Sequence, residues 1–238
     1  MRREHRRELK HDRFVDEIGS LGGKARENQR LILTAAVAVA IVAVAVYGIF
    51  AWRSNHEQKG QDALSAAITT ADSPLLPAKP GSEPVPGARY KTDAERNAAA
   101  EKQFKDVAAN YSGTDAADIA GLYLARFDAS KGDTSTAKQL LQKFISDHPK
   151  HVLVGSACFS LYQLRIENGE AAQVASELQA EIAKPSPVLP PDTLLVLLAH
   201  AYDAQNNGVK AKEAYKRITT EYPDSPYALE AQRRGGPA

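Results

Sequence analysis

Residues 198–223 read LAHAYDAQNNGVKAKEAYKRITTEYP, and this stretch decides the fold. On both sides of Asn206-Asn207-Gly208, small and apolar residues recur at three- and four-residue intervals, the spacing of helices that each bury one face. Asn-Asn-Gly is turn chemistry, and Tyr222-Pro223 ends the second pattern, since a proline disfavours helical backbone in the residue before it. The same design returns upstream. Ala100, Ala137, Val174 and Ala211 stand 37 residues apart, and so do Phe104, Leu141, Leu178 and Tyr215. Tyr111, His148, Pro185 and Tyr222 form a third column, just past each second helix. A small residue followed four positions later by a large one lets one helix approach closely and fills the groove beside it. Gly132-Asp, Gly169-Glu and Asn206-Asn-Gly208 punctuate the helices, with 37 and then 39 residues between the glycines. No segment alternates with a period of two, so no sheet is expected. The fold class is all-α, a solenoid of αα-hairpins.

Upstream of the hairpins lies a different signal. Residues 31–52, LILTAAVAVAIVAVAVYGIFAW, give 22 positions without a charge between Arg30 and Arg53. At about 1.5 Å per residue such a helix rises roughly 33 Å, enough for a hydrocarbon core of about 30 Å. Eleven of its residues are Leu, Ile, Val or Phe, each contributing about −0.3 to −0.6 kcal/mol to insertion. Tyr47 and Trp52 cluster at one end, where aromatic rings favour the headgroup level. A cleaved signal peptide fits less well, because a largely polar stretch of thirty residues comes first and Phe50-Ala-Trp-Arg is a poor small-x-small cleavage site. Residues 1–30 hold nine Lys/Arg against six Asp/Glu, whereas residues 88–238 hold 18 against 19. Positive-inside then places the N-terminus in the cytoplasm and the bulk of the chain across the membrane, which in a bacterium is the periplasm.

These signals divide the chain into a basic cytoplasmic segment (1–30), a transmembrane helix (31–52), a helical extension (53–70), a proline-rich linker or insertion (71–91) and the repeat domain (92–238). The stretch 71–87, ADSPLLPAKPGSEPVPG, has five prolines and reads as an extended connection; a PxxP-type ligand is the rarer reading. Thr92-Asp-Ala-Glu95 has the chemistry of a helix start.

The repeat columns resemble the tetratricopeptide repeat. Leu198-Ala199, Tyr202, Ala211, Tyr215, Ile218 and Pro223 match that family's small/large/proline pattern. The unit before Pro149 follows, with Leu124-Ala125, Ala137, Leu141 and Phe144. The middle unit departs from the pattern: Tyr162 stands where a small residue is expected, and Lys184-Pro-Ser-Pro-Val-Leu-Pro-Pro lengthens its exit. Phe104 resembles the second helix of a first, broken unit whose first helix would be Asn55–Thr70, and Ser225–Arg234 resembles a terminal cap. The spacing of 37 exceeds the usual 34, which implies longer connections.

One basic-start membrane helix, preceded by Phe14–Gly23 and followed by a degenerate repeat domain, is similar in layout to the YfgM-type family, an ancillary subunit of the Sec translocon. The resemblance implies a single-pass protein of the bacterial inner membrane whose exported domain docks the translocon and periplasmic chaperones. It implies protein partners, and neither nucleic acid nor a small-molecule substrate. A cell-envelope assembly or division scaffold built on the same repeat is the alternative.

Candidate chemistry is sparse, and no catalytic, cofactor-binding or metal-binding residue is expected; the chain is read as a non-enzyme. Lys plus Arg (30) nearly equals Asp plus Glu (29), without the basic surplus that phosphate neutralisation needs. Gly22-Gly-Lys-Ala lacks the upstream glycine at the proper spacing and the Ser/Thr after lysine of a phosphate loop. His148 and His151 flank a turn without further zinc ligands nearby in sequence. Cys158, the single cysteine, sits in an apolar run and reads as a buried thiol. His200 reads as packed or groove-lining, and Asn110-Tyr-Ser as an accidental glycosylation sequon. Asp118, Arg126, Arg165 and Asp203, on first helices of the hairpins, are either groove-facing or simply solvated. A third possibility, an unannounced enzyme, would require a deep polar pocket.

Overall fold

A computed structural model describes residues 29–77, 83 and 85–236. The basic segment ahead of residue 29, with Phe14–Gly23 and Gly22-Gly-Lys-Ala, lies outside the described residues, as do residues 78–82 and 84 of the proline segment. The chain divides into two compact units, Met1–His56 and Glu57–Ala238.

Helix α1 (Gln29–Ala71) starts in the first unit and ends in the second. In the first unit its large apolar side chains are open: Leu31, Val39, Val44, Tyr47 and Phe50 are each about 70% exposed. Trp52 stacks on His56 with ring centroids 5.2 Å apart. Among the described residues, α1 is the one helix long and apolar enough to cross a membrane.

The regular secondary structure described in the second unit is helical, apart from an isolated bridge between Leu75 and Tyr90. Its elements are the end of α1, then α2 (Asp93–Asn110), α3 (Asp115–Ser130), α4 (Thr134–Asp147), α5 (Val154–Arg165), α6 (Ala171–Ile182), α7 (Pro191–Ala204), α8 (Gly208–Glu221) and α9 (Ala228–Gly235). Consecutive helices pack as hairpins because the turns supply their own stops and starts. Gly132 and Gly169 take φ of +85° and +87°, and Asn206 takes +58°, left-handed values suited to Gly and Asn. Asp133 and Asn207 then cap α4 and α8 by accepting from the backbone N–H of Thr136 (3.1 Å) and Lys210 (3.3 Å). At α2, Thr92 accepts from Glu95 N–H (3.2 Å) while the Glu95 carboxylate accepts from Lys91 N–H (3.0 Å).

The two repeat columns are the core. Ala100, Ala137, Val174 and Ala211 are all buried, and so are Phe104, Leu141, Leu178 and Tyr215. Three members of the third column, Tyr111, His148 and Tyr222, are C-cap residues of α2, α4 and α8. In the third hairpin α6 stops earlier, with Ala183 as its C-cap, ahead of Pro185.

The last turns of α1 pack antiparallel to α2. Leu64 and Ala67 share a buried cluster with Ala100, Phe104 and Val107. Near one end, Ser73 C=O accepts from Arg96 (3.2 Å). Near the other, a Cβ on Gly60 would lie 3.3 Å from Tyr111 Cβ and 3.1 Å from Ala116 Cβ. Gly60 thus admits the α2–α3 corner against α1, and Glu57 accepts from Asp115 N–H (3.1 Å) at the start of α3. We expect Gly60→Leu to lower the unfolding free energy by about 1–3 kcal/mol through overpacking, read from a urea melt followed by circular dichroism. A change below about 0.5 kcal/mol would show that the corner is looser than described.

The middle hairpin differs from its neighbours. Helix α5 packs mainly on α4, and α6 mainly on α7, with few approaches between α5 and α6 beyond their connecting turn. Tyr162 lies on α5 beside this gap. A half-buried ring stands where a small residue would permit close approach, and its hydroxyl is raised first by burial and then by Glu177 and Glu181 of α6.

Candidate functional site: a groove along the first helices

Helices α3, α5 and α7 are the first members of successive hairpins, and their exposed faces line a common groove. Between α3 and α5 the groove deepens into a cavity of about 430 Å³. Helix α3 supplies Leu122, Tyr123, Arg126 and Ala129 at helical spacing, and α5 supplies Ser156, Ser160, Gln163 and Leu164. Its floor is apolar, made by Ala125, Leu141, Ala157 and Leu164, all buried. Depth comes from residue size, because Ala125, Ala129, Ser156, Ala157 and Ser160 leave room that larger side chains would fill. Tyr123 forms a firm wall, since its ring stacks on Phe104 at 4.5 Å between centroids and 8° between planes.

A second recess of about 300 Å³ continues the groove past the end of α5. It shares Gln163 and Glu167 with the first and adds Ile166, His200, Asp203 and Arg234. Its polar groups hold one another. Tyr215 Oη donates to Asp203 (3.0 Å), Arg234 pairs with Asp203 (3.1 Å), and His200 Nε2 lies 2.9 Å from Glu230 Oε1. Burial opposes the charge on Glu230, but His200 and Arg234 outweigh it and hold the carboxyl below its usual range. Burial, followed by Asp203, pushes the Tyr215 hydroxyl well above the ordinary phenol value.

Of the four polar residues placed on first helices, Arg126 and Asp203 line the groove, whereas Asp118 and Arg165 do not. Asp118 pairs with His148 Nε2 (3.0 Å), beside a matching Asp115–His151 pair (2.9 Å), so these contacts tie α3 to the α4–α5 turn. Leu153 N–H donates to His151 Nδ1 (3.1 Å). Among the described residues no group of three His, Cys, Asp or Glu could hold a metal. Cys158 is buried, and burial raises its thiol. His200 lines the second recess. Glu167 and the pair Ser156/Ser160 were not singled out in the sequence. Glu167 sits in the short π-helical segment Ile166–Glu170 that follows α5, and the serines, one helical turn apart, look like an ordinary solvated stripe.

Arg165 serves the opposite face. Two of its nitrogens donate to Glu177 (2.6 and 2.8 Å), a third to Glu170 (2.8 Å), and Lys138 also reaches Glu170 (2.6 Å). This network joins α4, α5 and α6 where direct packing is thin. Lys138, then Arg165, holds Glu170 below the usual carboxylate range, and Arg165 does the same for Glu177. A depressed carboxylate contributes stability above its unfolded value and loses it as pH falls through the folded value. Arg165→Met should therefore cost about 1–2 kcal/mol at neutral pH through the lost bidentate pair with Glu177, discounted because that carboxylate retains water contact. It should also flatten the loss of stability between about pH 5 and pH 3. Chemical denaturation across that range checks both, and an unchanged acid slope would remove the network from the account.

A run of helical hairpins whose first helices share an apolar groove defines a solenoid interaction module. The tetratricopeptide repeat-like domain model matches residues 26–187 and the tetratricopeptide repeat model matches residues 194–225; the chain belongs to the tetratricopeptide repeat-like family. Such domains serve typically as protein-interaction scaffolds, and no enzymatic family is indicated. No curated protein matches the sequence. A crystal structure of nearly identical TPR-like repeats from a Podosopora anserina kinesin light chain candidate is similar at 17% identity and a TM-score of 0.49, covering 76% of this chain and 84% of that one.

Proposed function

We propose that the protein is a membrane-anchored interaction module that assists protein export, docking the Sec translocon, periplasmic chaperones or both through its repeat domain. One observation carries the reading: a helix with 22 consecutive uncharged residues, exposed along its large apolar side chains, belongs to the same chain as an open, partly apolar repeat groove. In this reading residues 31–52 span the bacterial inner membrane as an uncleaved anchor. Residues 1–30 lie in the cytoplasm, and residues 53–70, the proline-rich segment 71–91 and the repeats 92–238 lie in the periplasm. The layout, similar to that of the YfgM-type family, supports the choice of partner. The mechanism is binding by a preformed surface, with no chemical step.

Crosslinking in intact membranes, followed by purification on a C-terminal tag and mass spectrometry, tests it. Enrichment of the Sec channel or a periplasmic folding factor is the expected result. Recovery of division or wall-assembly proteins alone would overturn the export reading in favour of an envelope scaffold.

A further inference from the structure

Five acidic or basic side chains line the two recesses: Arg126, Glu167, His200, Asp203 and Arg234. His200, Asp203 and Arg234 are engaged with Glu230, Tyr215 and each other. Arg126 and Glu167 are exposed and make no ion pair or hydrogen bond among the described residues. Both border the cavity whose floor is apolar. The groove therefore offers a cation, an apolar hollow and an anion.

We propose that its occupant is a partner's peptide segment carrying one large apolar side chain between an acidic and a basic residue. The apolar side chain fills the hollow over Ala125, Ala157 and Leu164, the acidic residue pairs with Arg126, and the basic residue pairs with Glu167. This rests on the interaction reading above and adds the chemistry of the ligand. The division of labour follows from physics. Burying an apolar group in a formed hollow supplies affinity, while exposed rim charges contribute little affinity and mainly choose among sequences and fix register. The recess around Arg165, by contrast, already satisfies its own charges.

The test uses the full chain in detergent micelles and short fluorescein-labelled peptides with a central leucine. One set has aspartate and lysine on either side, in both orders; other sets have two lysines, two aspartates or no charge. Fluorescence polarisation should rank one aspartate–lysine order first, with a loss of at least about tenfold when its leucine becomes glycine. Arg126→Glu should weaken that peptide by about fivefold and favour the two-lysine peptide instead, a reversal that misfolding would not produce. Ser160→Leu, at an exposed position on the cavity wall, should reduce binding of every leucine peptide while circular dichroism stays unchanged. Equal binding of charged and uncharged peptides, or affinities indifferent to both substitutions, would overturn the proposal. The two readings also fail separately. Peptide selectivity without export factors in the crosslinking removes only the export reading. Export factors captured equally by wild type, Arg126→Glu and Ser160→Leu would remove the groove chemistry alone.

Discussion

Phe104→Ala opens the first hairpin, at a cost of about 3–5 kcal/mol. The side chain is fully buried, stacked on Tyr123 and 6.1 Å from Phe127, and clustered with Leu64 and Ala67 of α1. On the α1–α2 side most of its neighbours are alanines, which are too short to close the hole. Stability in a repeat array is approximately a sum of hairpin and interface contributions, so the damage should stay local. Hydrogen exchange should lose protection in α2 and in residues 57–71, while α7 and α8 keep theirs. A uniform loss across all helices would mean that the second unit unfolds as one block. A cost below about 1 kcal/mol would contradict the burial itself.

Val39→Asp together with Val42→Asp should release the chain from membranes. Both valines lie in the middle of the uncharged stretch, and both are exposed, so neither aspartate gains a protein partner in the described structure. An aspartate at mid-membrane costs about 2.5–3.5 kcal/mol, and its short side chain reaches no interface. Two of them match or exceed the roughly 3–7 kcal/mol that eleven Leu, Ile, Val and Phe residues contribute. Alkaline extraction of membranes should find the wild type and a Val39→Leu/Val42→Leu control in the pellet and the double aspartate variant in the supernatant. Retention of the aspartate variant in the pellet would count against residues 31–52 as the anchor.

The fold was legible because repetition averages out local noise. Ala100, Ala137, Val174 and Ala211 share a position in the sequence and also share burial, because that register faces the core in every hairpin. The turns were legible for a local reason: Gly132, Gly169 and Asn206 adopt backbone angles that few other residues accept. The groove was harder to read. Arg126 and Arg165 both lie on first helices, yet one lines the cavity while the other pairs with α6, and only tertiary placement separates them. Glu167 escaped because, one helical turn past Gln163 and just before the Asn168-Gly169 kink, an exposed glutamate reads as ordinary surface. Tyr162 was visible as a departure from the pattern, but the loosely packed middle hairpin beside it depends on tertiary placement.

Helix α9 has a consequence for association between copies. A stack of hairpins ends in a face shaped to accept another hairpin, and an open face of that kind invites head-to-tail fibres. Here α9 seals it. Ala231 is buried, and a Cβ on Gly235 would come within 2.9 Å of Tyr215 Cβ, while Arg234 and Glu230 bind α7 through Asp203 and His200. What faces outward is Leu229, Gln232 and Arg233, a narrow and partly charged strip. The face of the α7–α8 hairpin that α9 covers is therefore closed to a neighbouring copy.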